Sequence, residues 1–230
     1  MISSRDYFAE IRAATGFAIP PEFIKLENAG LLRFGENYEH WRANRKQICT
    51  TRPPALVCAP WYARVEWYTP EEMARWKVPD YWIPRPIIAF AGNGIGDNWC
   101  WFPEMTDDLG TRVVFCAHDE NDAEIYAANF QSFLYRIVLE SFAYVAPDGV
   151  ADFDGESGYR RYLELNVNVL ESTLRPEWVG TLRALLAKDF VVREDDDQVL
   201  CLLNQRELKE LHAQHILVRD VGQHFEHMQP

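Results

Sequence analysis

The chain has 230 residues, 48% of them hydrophobic and 25% charged, which is enough to bury a core and excludes a disordered or fibrous protein. Its formal net charge of -12 at pH 7 disfavours a nucleic-acid partner, because a field of that sign repels phosphate. Eight Trp, ten Tyr and thirteen Phe provide large buried areas and predict a densely packed interior.

Near the start, Ser4 is placed to cap a helix with Tyr7, Phe8 and Ile11 on one face and Gly16 at its end. Pro20 and Pro21 open a second, short helix that closes at Asn28, Ala29 and Gly30. A polar helix is expected over 36–47, and after the break at Pro53 and Pro54 a β-rich aromatic run over 55–68. Thr69, Pro70 and Glu72 form a capping-box pattern that starts a helix reaching about Trp76.

Three apolar runs, 87–90, 99–102 and 112–117, read as strands, and a fourth over 124–127 forms a hairpin with the third. Trp99 and Trp101 share one face and Cys100 and Phe102 the other, the pattern of a strand covered on both sides. Asn129 is the N-cap of a helix to about Ala143, with Phe130, Phe133, Leu134, Ile137 and Val138 on one stripe. The Gly- and Asp-rich stretch over 147–158 divides a domain of 1–146 from an extension of 147–230. The extension holds helices at 159–171 and 176–187, a hairpin of 190–193 with 199–203, and a helix capped by Asn204. A last strand is expected at Ile216, Leu217 and Val218. The fold class is therefore α+β, a central, mostly antiparallel sheet flanked by helices, with an α/β C-terminal extension packed on the first domain.

The opening residues lack the apolar stretch of a secretory signal. No segment approaches the roughly 18 consecutive apolar residues of a membrane span, so a cytoplasmic protein without membrane contacts is expected. Five scattered cysteines, Cys49, Cys58, Cys100, Cys116 and Cys201, form no Cys-x-x-Cys pair and fit reduced, buried thiols rather than disulfides or a zinc site.

Nearly all of the negative charge is central: residues 97–156 carry a net of -11, with Arg112 and Arg136 as their only bases. A basic protein would be attracted to such a region and steered towards it. Gly92, Gly94 and Gly96 follow a strand, which suggests a phosphate loop. Asp97 and the strand after it replace the helix that such a loop needs, so these four residues read as a tight strand-to-strand turn. His118, Asp119, Glu120, Asp122 and Glu124 suggest a metal-dependent hydrolase centred on His118, but a hairpin turn alternates its side chains outward, and a partner-facing acidic patch is the stronger reading. There is no Gly-x-Ser-x-Gly elbow, and neither a catalytic residue nor a cofactor or metal site is assigned. His212 and His215 lie late in the chain, followed by His224 and His227 in a polar tail expected to be mobile.

In their order and spacing, four motifs resemble the SUKH superfamily, named partly after a yeast cell-wall assembly regulator. They are Ile19-Pro20-Pro21-Glu22-Phe23 with Asn28-Ala29-Gly30, the strand and capped helix from Val65 to Met73, the strand-turn-strand through Gly92 and Asp97, and the hairpin and helix from Val113 to Leu134. The likeness covers about residues 17–140 and leaves the region after 150 unexplained. It implies a non-catalytic bacterial immunity protein that binds and neutralises a toxin, often a nuclease. On that reading Asp107, Asp108, Asp119, Glu120 and Asp122 contact a basic toxin domain. The alternatives are a regulatory or scaffold module without a toxin, as in eukaryotic members, and the hydrolase around His118.

Overall fold

The computed structural model describes residues 4–32, 65–145, 153–192 and 199–228, together with positions 39, 40, 43, 44, 47 and 150. Most of the polar helix expected over 36–47, the run over 55–64 and the Asp195-Asp196-Asp197 turn lie outside them. Helices α1 (Ser4–Thr15) and α2 (Pro21–Asn28) precede strand β1 (Glu66–Trp67), helix α3 (Pro70–Arg75) and strands β2 (Ile88–Gly92), β3 (Asn98–Asp107), β4 (Gly110–Cys116) and β5 (Asp122–Ala127). Helices α4 (Phe130–Ala143), α5 (Glu156–Leu170) and α6 (Pro176–Leu186) come next. Strands β6 (Val191–Val192) and β7 (Leu200–Cys201), helix α7 (Gln205–His215) and strand β8 (His224–Glu226) complete the order.

The main sheet runs β1-β2-β3-β4-β5-β8, and every neighbouring pair is antiparallel. The chain is an α+β protein with helices around this sheet, and among the described residues no helix is long and apolar enough to cross a membrane. The alternation in β3 dictates its burial on both sides. Trp99 and Trp101 sit in an aromatic cluster with Phe23, Phe90, Phe130 and Phe133, with ring centroids 4.4 Å apart for Phe90 and Trp101 and 5.2 Å for Phe23 and Trp101. Cys100 and Phe102 pack on the opposite face with Trp82, Ala89, Val114, Cys116 and Ala123. Cys100, Cys116 and Cys201 are buried outside any disulfide.

Local signals explain the element ends. Gly16 and Gly30 take positive φ where α1 and α2 stop, a conformation that costs glycine least. The Thr69 hydroxyl accepts from the Glu72 backbone N–H, and the Glu72 carboxylate accepts from the Thr69 backbone N–H at 2.7 Å. Asn204 and Glu207 repeat the same box at the start of α7. At α4 the Asn129 side chain accepts from the Ser132 N–H at 2.9 Å.

Two compact units divide the chain differently from the expected split of 1–146 and 147–230. One comprises 1–32, 66–133 and 217–230 and holds the main sheet; the other comprises 33–65 and 134–216. In the second unit α5 packs on α6, Tyr135 stacks on Trp178 at 4.7 Å, and a bridge joins Val145 to Leu200. The C-terminal segment returns to the sheet because β5 offers an open ladder edge, which β8 fills at Asp122–Glu226, Ala123–Phe225 and Glu124–His224.

The C-terminal region differs from the sequence expectation in two further respects. Ile216 ends α7, and Leu217 and Val218 form no strand; they are 46% and 37% exposed, while Phe225 of the true last strand packs on Phe102. The final histidines do not belong to a mobile tail. His224 pairs in β8, and His227 is 2% exposed, with Nε2 at 3.0 Å from the Ala117 carbonyl oxygen and its ring against Trp82.

Candidate functional site

One end of the main sheet gathers the β2–β3 turn at residues 93–97 and the β4–β5 turn at 117–121. Asn93 builds the first turn from within: its Oδ1 accepts from the Ile95 and Asp97 N–H groups, each at 3.1 Å, and its Nδ2 donates to Asp97 Oδ2 at 2.5 Å. Gly94 and Gly96 have φ of 79° and 115°, and a Cβ on Gly96 would stand 3.0 Å from the His118 ring. Glycine is therefore required there twice over, by conformation and by close approach. A strand follows this turn, not a helix; Gly92 is the last residue of β2, and Gly94, Gly96 and Asp97 lie in the turn. Asn98 donates to the Gly96 carbonyl oxygen and accepts from the Tyr68 hydroxyl at 2.7 Å, which fastens the turn to the segment after β1. Burial pushes the Tyr68 hydroxyl well above its ordinary value.

Asp97 is 8% exposed and points at the second turn. Its Oδ1 accepts from the His118 backbone N–H at 2.9 Å and lies 2.7 Å from His118 Nδ1. Beside a carboxylate oxygen, Nδ1 is the nitrogen that carries the proton, leaving Nε2 as the second ring nitrogen. The bond from Asp97 raises the His118 pKa, and Asp119, with Oδ1 3.9 Å from Nδ1, adds to it. Asp119 and Glu120 are exposed on this turn and Asp122 at the start of β5, and among the described residues no Lys or Arg forms an ion pair with any of them. Ile95, 67% exposed, caps the neighbouring turn.

Asp107 and Asp108 lie elsewhere, in the β3–β4 turn at the other end of β4. About 20 Å of strand separates the two turns, since a strand rises about 3.3 Å per residue. Arg112 holds Asp107 through Nη1 at 3.1 Å and Nη2 at 2.8 Å, and Arg219 pairs with both Asp107 and Asp108. These guanidinium groups push both carboxyls below their ordinary values. The five acids expected to form one contact thus divide into a pair held by guanidinium groups and a trio with which no Lys or Arg among the described residues pairs.

The Asp97–His118 pair escapes a reading of local motifs because the two residues are 21 positions apart. The strand register carries the signal: β3 and β4 pair Asn98 with Cys116, which puts the residue before Asn98 beside those after Cys116. Fold and site together define an antiparallel α+β protein with an acidic, histidine-bearing end to its sheet. No protein-family model, curated protein or solved structure matches the chain.

Proposed function

We propose that the chain is a non-catalytic binding protein, similar to SUKH immunity proteins, which neutralises a basic, nuclease-type toxin through the acidic turn bearing Asp119, Glu120 and Asp122. The observation behind this reading is that three exposed carboxylates on a turn carry no Lys or Arg partner among the described residues, whereas Asp107 and Asp108 are already paired. Charges left unmatched on a well-braced turn are available to steer a cationic partner into contact, and they occupy the surface by which such a partner grips nucleic acid. Two features of the sheet support the likeness: the glycine turn leads into an acidic residue and an aromatic strand, and the last hairpin leads into the Asn129-capped helix.

Expressing the product of the adjacent gene with and without this chain tests the reading. Growth arrest that co-expression relieves is the expected result. Combining Asp119→Lys, Glu120→Lys and Asp122→Lys should slow association about tenfold at low salt and less at physiological salt. A harmless neighbour would favour a regulatory or scaffold module, and an unchanged association rate would remove the turn from the interface.

A further inference from the structure

Asp97, His118 and Asp119 bring two carboxylates and an imidazole together from two turns, with their donor atoms all within 4.8 Å of one another. Among the described residues this is the one group of three or more His, Cys, Asp or Glu side chains close enough to hold a metal ion. We infer that these three residues form a binding site for one divalent ion of the zinc class, completed by water.

The geometry is close to what such an ion requires. Zinc takes imidazole nitrogen and carboxylate oxygen at about 2.0–2.2 Å, so tetrahedral donors stand about 3.3 Å apart. The separations of 2.7 Å from Asp97 to His118 and 3.9 Å from His118 to Asp119 bracket that value. Asp119 has 73% of its side chain exposed and can swing inward without disturbing the core. Asp97 is held from behind by Asn93 Nδ2, the arrangement that orients a ligating carboxylate. On binding, Nδ1 gives up its proton and its lone pair forms the metal–nitrogen bond, while Nε2 carries the one proton that the neutral ring keeps.

Charge favours the ion independently of distance. The Asp97 side chain is only 10% exposed, and among the described residues it forms no ion pair with Lys or Arg. His118 is the cationic partner of this carboxylate, and two carboxylates against one imidazole leave a negative surplus even when the ring is protonated, which a divalent ion offsets. One nitrogen and two oxygens suit zinc, cobalt(II) or manganese(II). Calcium, which takes six to eight oxygens, is poorly served.

Titrating the whole metal-free chain with Co2+ while following visible absorption tests the site, with Zn2+ added afterwards as competitor. The expected result is saturation at one equivalent, loss of the bands on adding Zn2+, and about tenfold or greater weakening by both Asp119→Asn and His118→Gln. Asp119 is exposed, so that variant keeps the fold, and His224→Gln should bind as the parent does. Absence of saturable uptake, or uptake that either ligand substitution leaves unchanged, would overturn the site. The readout uses the chain alone, so it stands or falls separately from toxin neutralisation.

Discussion

Arg112 keeps 4% of its side chain exposed and yet carries a full charge, which a protein interior accepts when each guanidinium nitrogen has a partner. Asp107 takes one edge of its guanidinium, Asp220 accepts from Nε at 2.8 Å, and the Ala128 carbonyl oxygen accepts from Nη1 at 3.2 Å. Replacing it by Leu takes this partner from Asp220 and leaves Asp107 with Arg219 alone, and the expected loss is roughly 3 kcal/mol in urea denaturation. His227 makes a prediction in pH. Burial holds it below the ordinary value of 6.5, against the smaller opposing effects of its bonds to Ala117 and Asn121 and of Asp122 and Glu120. Burial lowers His212 and His215 in the same way. Between those lowered values and 6.5 the unfolded chain binds protons that the folded chain refuses, so stability falls as pH drops below 6.5. His118 works in the opposite sense: its raised pKa adds stability that is complete below 6.5 and disappears as pH climbs through its folded value. With three lowered histidines against one raised, urea midpoints should be lower at about pH 5.5 than at about pH 7.5, and His227→Gln should narrow the gap.

Among the elements, the capping box at Thr69 and the N-cap at Asn204 were legible in the sequence, because the bonds they make are local. Thr69→Ala and Asn204→Ala should each cost about 1 kcal/mol by thermal or urea unfolding, and restoring Ser or Asp at either place should recover most of it. Strand β8 was not legible. Its three residues, with exposed His224 and Glu226 on either side of Phe225, have little intrinsic preference, and they become a strand only because the β5 edge and the Phe102 ring await them. The Ile216, Leu217 and Val218 run has the better strand composition but meets no open ladder. Deleting residues 223–230 should therefore leave the β5 edge unpaired, which faster amide exchange at Ala123 and Ile125 and an increase in light scattering would report.

At the scale of the whole molecule, a net charge of -12 says little until its charges are sorted by partner. Asp107 and Asp108 are structural, so Asp107→Lys is expected to lower the melting temperature. Lysine at 119, 120 and 122 together should leave that temperature nearly unchanged while altering association. Calorimetry on both variants checks this division of labour. The amino-acid order alone determined the α+β class, the helix caps, the glycine turn at 92–96 and the strand with two buried faces, because each rests on spacing within a few residues. Tertiary structure alone decided that Asp97 meets His118, that the acids separate to opposite ends of β4, and that the chain's end completes the sheet. Those outcomes depend on which strand edges and charges meet across distances of 20 to more than 100 residues, and no local pattern encodes that pairing.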